Sequence, residues 1–274
     1  MNFLDLIKEL DTENLEGEDQ ERFLSRKQAI GKMSNFSKKL ALSALPLGAF
    51  AAFSNEAQAQ STEDLVNVLN FALTLEYLEN EYYQTGVNTT GLIPSGDPSA
   101  IYSTIADHEQ DHVNFLTDVI SNVLGGTPVE KPDFDFTAGG NFAPFEDYAT
   151  FLTLSQAFED TGVRAYKGQA AAVQGNNLVL TRALQIHSVE ARHASRVREL
   201  RGLTGWISGQ PSAQQVPPAA QAVYEGETNR TQVIPVDGTL SGDGDVSAQN
   251  IAEAWDEPLT MDEVNTIAGL FIQQ

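Results

Sequence analysis

Two glutamate–histidine pairs with the same spacing are the residues of this sequence best suited to chemistry. Glu109 and His112 form one Glu-x-x-His pair, and Glu190 and His193 form the other. Residues three apart share a face of a helix, so each carboxylate and its imidazole can reach the same ion. The chain has only four histidines, and two of them stand in this arrangement. The pattern predicts two helices that each offer both groups to one metal centre.

An internal repeat supplies two further carboxylates. The segment TLEYLENEYY aligns with AFEDTGVRAY, which pairs Glu76 with Glu159 and favours Glu76 over its neighbour Glu79. Each of the paired glutamates is followed seven residues later by a tyrosine on the same helical face, Tyr83 or Tyr166. The repeat predicts two similar halves around one site, with the tyrosines packed beside the ligands.

Four amphipathic segments must position these residues. Helical spacing, capping signals and glycine stops place the helices at about 62–86, 97–124, 144–174 and 178–201. Residues 125–143, rich in Pro, Gly and Asp, form a long connection between the second and third helices. The expected architecture is all-α, a four-helix bundle with one long crossover.

The six residues resemble, in order and spacing, the di-iron ligand pattern of the ferritin-like superfamily in its bacterioferritin-type form. The segment LNFALTLEYLENEYY also resembles the exported ferritin-like family that includes plant desiccation-related proteins. The resemblance covers about residues 61–203 and implies a ferritin-like bundle that holds two metal ions. The metal ligands that it implies are Glu76, Glu109, His112, Glu159, Glu190 and His193, with Glu109 and Glu190 bridging.

The donor set suits iron, with manganese as the alternative, because it combines many carboxylate oxygens with two imidazoles. The resemblance implies oxidation of ferrous iron or consumption of oxygen or peroxide in stress protection. A second interpretation is a non-catalytic stress protein that keeps the bundle and sequesters metal. The expected partners are therefore metal ions and oxygen or peroxide.

A zinc-protease motif competes for some of the same residues. His108, Glu109 and His112 spell H-E-x-x-H, in which both histidines bind zinc and the glutamate is a general base. That interpretation leaves the second Glu-x-x-His pair unexplained, and no protease-like sheet is predicted. On the bundle interpretation, His108 lies beside the site or on the surface.

Composition limits the location and the partners. The net charge of −22 argues against nucleic acid and anionic membranes, and the absence of cysteine excludes disulfides and iron–sulfur clusters. Residues 1–59 end in a basic stretch, a short apolar run and Ala57-Gln58-Ala59, which predicts a cleaved export signal and no membrane anchor afterwards. Ser25-Arg26-Lys27 resembles a twin-arginine signal with one substitution. The mature protein is expected to be periplasmic or extracellular.

The chain is thus divided into an export segment at 1–59, a bundle at 60–203 and a C-terminal extension at 204–274. In the extension, Gly238–Asp245 is expected to be a loop. Two short helices are expected at Ala248–Trp255 and Met261–Phe271, the second begun by a Thr260–Glu263 capping box. Their apolar face is expected to pack on the bundle or on a partner.

Overall fold

A computed structural model describes residues 61–212, 215–229, 252–273 and the backbone of 232–234 and 238–240. The predicted export segment lies outside these residues. Four long helices, packed as the pairs α1–α2 and α3–α4, confirm the predicted all-α bundle. They are α1 (Thr62–Asn88), α2 (Asp97–Asp118), α3 (Tyr148–Gln169) and α4 (Asn177–Leu200). Among the described residues, no helix has both the length and the apolarity to cross a membrane.

Side-chain caps fix where α1 and α3 begin. Ser61 and Asp64 form a reciprocal capping box at the start of α1. Asp147 accepts a hydrogen bond of 2.7 Å from the backbone N–H of Thr150 at the start of α3. The third helix therefore begins four residues later than the position predicted from Pro144, because the carboxylate of Asp147 satisfies its first free N–H groups.

The predicted long crossover is also confirmed, and it packs on the bundle. The end of α2 widens into a π-helical turn at Val119–Val123, and Gly125 follows with a φ of 68° that favours glycine. Phe136 of the crossover lies 5.2 Å from the ring of Tyr82 on α1. The backbone N–H of Asp135 donates to the carbonyl of Phe271 at 2.8 Å, which joins the crossover to the C-terminal end.

The C-terminal extension contains a 3-10 helix at Pro218–Tyr224, the α-helix α5 (Met261–Ala268) and a two-stranded antiparallel ladder. The Thr260–Glu263 capping box is present, and α5 ends three residues earlier than predicted. The strands are β1 (Gln232–Ile234) and β2 (Gly238–Leu240). The prediction of a loop at Gly238–Asp245 is therefore wrong for its first three residues, which form β2. The register pairs Val233 with Thr239, two β-branched residues that favour extended backbone. The first half of the helix expected at Ala248–Trp255 lies outside the described residues.

A buried arginine on α3 attaches the extension to the bundle. Arg164 is 1% exposed, and its Nε lies 3.0 Å from Glu227 Oε1 in an ion pair between two buried side chains. The same Nε donates to the carbonyl of Glu257 at 2.6 Å, and the other guanidinium nitrogens donate to the carbonyls of Val223 and Glu225. The extension thus neutralises and solvates a charge that the bundle alone would leave buried.

Candidate metal centre

Buried carboxylate and imidazole side chains from all four long helices converge in the middle of the bundle. They form two overlapping groups, and within each group the candidate ligand atoms lie within 4.8 Å of one another. Two carboxylates belong to both groups, so the arrangement has two centres with a shared edge. The first group is Glu76, Glu109, His112 and Glu190, and the second is Glu109, Glu159, Glu190 and His193.

The first group gathers around the Nδ1 atom of His112. This nitrogen lies 3.1 Å from Glu76 Oε2, 3.0 Å from Glu109 Oε2 and 3.2 Å from Glu190 Oε1. Glu109 and His112 approach each other because they lie three residues apart on α2. Glu76 reaches them from α1, and Glu190 from α4.

The second group gathers around the Nδ1 atom of His193. It lies 2.9 Å from Glu109 Oε1 and 3.4 Å from Glu159 Oε2. Glu109 thus turns one oxygen to each imidazole, which is the geometry of a bridging carboxylate. The structure brings together all six residues that the sequence pattern selects.

The charges in this cluster interact strongly. Burial lowers the pKa of His193, but the carboxylates of Glu159 and Glu109 outweigh it and raise that pKa to about 11. The pKa of His112 is raised in the same way, since Glu76, Glu109 and Glu190 outweigh burial. Burial and the neighbouring carboxylate of Glu109 raise the pKa of Glu190 well above its usual range. The site therefore has an excess of buried negative charge that cations would relieve.

The arrangement of the donor atoms suits metal binding better than hydrogen bonding among themselves. Both oxygens of Glu159 and of Glu190, together with Glu109 Oε1 and His193 Nδ1, are buried without a hydrogen-bond partner. Several of them lie close together, but they do not meet hydrogen-bonding geometry. Buried polar atoms rarely stay unsatisfied, so such a group suits a shared cation. Two ligand atoms on opposite sides of an ion at about 2.1 Å lie ~4.2 Å apart, which agrees with the observed clustering.

The two predicted tyrosines have different surroundings. The Tyr166 hydroxyl on α3 donates to Glu76 Oε1 and holds that carboxylate from the other half of the bundle. The Tyr83 hydroxyl donates to the carbonyl of Ser155 at 3.4 Å. Of the two tyrosines, Tyr166 therefore donates to a candidate ligand, whereas Tyr83 donates to the backbone.

A further carboxylate lies at the edge of the site. Glu79 is 3% exposed, and burial, followed by Glu190 and Glu159, raises its pKa well above the usual range. A Cβ added at Gly162 would lie 2.9 Å from Glu190 Oε2 and 3.4 Å from Glu79 Oε1, so this glycine leaves room for both carboxylates. The repeat that pairs Glu76 with Glu159 also pairs Glu79 with Gly162, a signal that could have identified the two positions.

His108 lies on the outer side of the site. Its Nδ1 is 2.9 Å from His193 Nε2, and the planes of the two rings are nearly parallel, at 16° with centroids 5.2 Å apart. Burial and then the nearby His193 and His112 lower the pKa of His108, which favours a neutral ring. Among the described residues, the groups able to hold a metal include His112 without His108, unlike the arrangement of a zinc protease. Residues 61–203 also contain no β-strand.

Comparison with known proteins agrees with this architecture. A family profile described as "Ferritin-like domain" matches residues 64–203, which include all six candidate ligands. A search of curated proteins gave no match. The matched segment covers just over half of the chain, and it contains the four long helices of the bundle. The chain therefore belongs to the ferritin-like domain family.

Proposed function

We propose that this protein binds two iron ions in the bundle and uses them to oxidise ferrous iron with oxygen or peroxide, as an exported stress-protection protein. The observation that carries the proposal is the sharing of Glu109 and Glu190 between the two ligand groups. Shared carboxylates hold two cations close enough to act together. When bound, two ferrous ions supply one electron each to an oxidant.

The charge of the donor set supports ferrous iron. Four carboxylates carry four negative charges when ionised, which two divalent cations balance. Carboxylate oxygens with one imidazole for each ion suit iron or manganese better than metals that prefer sulfur. The burial of the six side chains, each at most 8% exposed, limits the contact of the ions with bulk water.

The protein's own residues orient the ligands and handle protons. The Tyr166 hydroxyl fixes the rotation of Glu76 by donating to one of its oxygens, which leaves the other oxygen facing His112. Because the neighbouring carboxylates raise the pKa values of His112 and His193, the metal-free site favours protonated imidazoles. Each must release a proton from Nδ1 when it becomes a ligand.

The sharing of ligands gives a graded test in the full chain. Glu190→Ala removes a ligand common to both groups, so both ions should be lost together with oxygen consumption on addition of ferrous iron. Glu76→Ala removes a ligand of one group, so about one ion should remain. Glu199→Ala, on the same helix as Glu190 but exposed and paired with Arg196, is the matched control and should bind two ions. Elemental analysis and an oxygen electrode give the two measurements.

Two outcomes would contradict the proposal. If Glu190→Ala retained two ions, the overlapping groups would not be the metal site. If the wild-type chain bound two ions but consumed neither oxygen nor peroxide with ferrous iron, the alternative of metal sequestration without turnover would replace oxidation. Export rests on the sequence of residues 1–59, which lie outside the described part of the chain.

A further inference from the structure

The two candidate histidine ligands differ on the side that faces away from the carboxylates. The outer nitrogen of His193, Nε2, lies 2.9 Å from His108 Nδ1. His112 instead lines a surface pocket of about 370 Å³, and no described residue forms a hydrogen bond with its Nε2. One imidazole is therefore held on both sides, whereas the other is held only on the inner side.

The difference follows from one substitution between the two halves of the repeat. Glu109 and Glu190 are 81 positions apart, and so are His108 and Val189. Val189 lines the same pocket as His112, which is the place that the repeat assigns to it. An imidazole in the first half thus corresponds to an isopropyl group in the second half, and only the imidazole can form a hydrogen bond.

The chemistry of a ligating imidazole gives this contact a direction. A nitrogen that binds a metal must offer its lone pair, so His193 with Nδ1 toward the site carries its proton on Nε2. That N–H can donate to the lone pair of His108 Nδ1. Such outer partners fix the tautomer and orientation of a ligating histidine and make it more basic. Val189 provides no acceptor, so the N–H of His112 faces the pocket.

We propose that His108 is a positioning residue for His193. As a consequence, the metal ion bound by His193 has a higher affinity for the site than the ion bound by His112. The inference rests on the metal site of the proposed function. The pocket beside His112 then gives solvent access to the weaker position, where an ion is exchanged more readily. The bound species is a divalent cation. The residue that makes the two metal positions differ is His108, which is not one of the six metal-binding residues.

Co²⁺ titration of single-position variants tests the inference without measuring turnover. Glu76→Ala removes a ligand of the ion bound by His112 and keeps all the ligands of the ion bound by His193. Glu159→Ala does the reverse. Adding His108→Val should weaken Co²⁺ binding about 10–100-fold in the Glu76→Ala chain and leave it unchanged in the Glu159→Ala chain. His108→Asn, whose side-chain oxygen can occupy the place of Nδ1, should restore much of the affinity.

Val189→His provides the reciprocal experiment, because it supplies the missing partner for His112. It should strengthen Co²⁺ binding in the Glu159→Ala chain and have no effect in the Glu76→Ala chain. NMR of the wild-type chain loaded with diamagnetic Zn²⁺ provides a test in which no metal-binding residue is replaced. The Nε2–H proton of His193 should be visible by NMR and protected from exchange, and His108→Val should abolish this protection.

Equal effects of His108→Val at both positions, no effect at either, or an unprotected Nε2–H in the wild type would each overturn the inference. These results would leave the proposed function intact, since that function depends on Glu109 and Glu190. Failure of the wild-type chain to bind Co²⁺ at all would overturn both. Normal Co²⁺ binding without oxygen consumption would instead contradict only the proposed oxidation.

Discussion

Gly162→Ala should separate the stability of the bundle from its affinity for metal. An added Cβ would stand 2.9 Å from Glu190 Oε2, whereas ordinary contact begins at 3.4 Å. The carboxylate or the helix must therefore move by about 0.5 Å, which is the tolerance within which a functional site must hold its groups. Since Glu190 belongs to both ligand groups, the displacement should weaken both metal positions.

The two effects of this substitution have different magnitudes. Overpacking costs about 1–3 kcal/mol, but alanine gains about 1 kcal/mol over glycine inside a helix. The metal-free variant should thus lose only ~0–2 kcal/mol of unfolding free energy. We expect metal affinity to fall about tenfold at each position, or ~1.4 kcal/mol per ion. Calorimetric metal titration measures the affinity, and thermal unfolding with and without metal measures the stability.

Gly205→Ala is the matched control for steric overlap away from the site. Its added Cβ would lie 2.5 Å from Ser195 Oγ, so it should disturb packing but leave metal affinity unchanged. If Gly162→Ala bound metal as tightly as the wild type, with a stability loss like that of the control, the described position of Glu190 could not be that of a shared ligand.

Three further predictions concern the extension, the protons and the N-terminus. Arg164→Ala should cost about 3–5 kcal/mol in thermal unfolding and expose the extension to proteolysis, because Glu227 would stay buried without its partner; an unchanged protease pattern would contradict this. Metal binding at neutral pH should release protons from His112 and His193, so affinity should rise with pH; calorimetry in buffers of different ionisation enthalpy would detect the release, and identical heats would refute it. The mature protein should begin after Ala59, and N-terminal sequencing that found the initiating methionine on protein from the cell envelope would end the export proposal.

The fold and the convergence of six side chains could be predicted because both depend on local periodicity. A Glu-x-x-His pair fixes two groups on one helical face whatever the helix packs against. The repeat then identifies Glu76 and Glu159, since each occupies the same place in its half. The start of α3 was less accessible, because it depends on a hydrogen bond from the backbone of Thr150 to Asp147, and Pro144 marked an earlier position.

Contacts between helices of different halves could not be predicted from spacing. The contact of His108 with His193 depends on how α2 and α4 are rotated toward each other. The burial of Glu79 likewise depends on the close approach of α1 and α3 at Gly162. Sequence pattern alone gave no reason to bury Glu79 or to direct His108 toward His193, although the aligned repeat marks both positions as places where the halves differ.

Both departures from the repeat act on the same pair of ligands. Gly162 leaves the space that Glu190 occupies, and His108 contacts the outer nitrogen of His193. Glu190 and His193 lie one turn apart on α4, so that helix presents its ligands under constraint from α2 and α3 together. On α2, by contrast, His112 borders an open pocket. The repeat therefore supplies two similar ligand sets, but the α4 ligands have neighbours on two further helices, whereas His112 on α2 borders a pocket. We expect a site with this asymmetry to retain the ion bound by His193 while it exchanges the ion bound by His112.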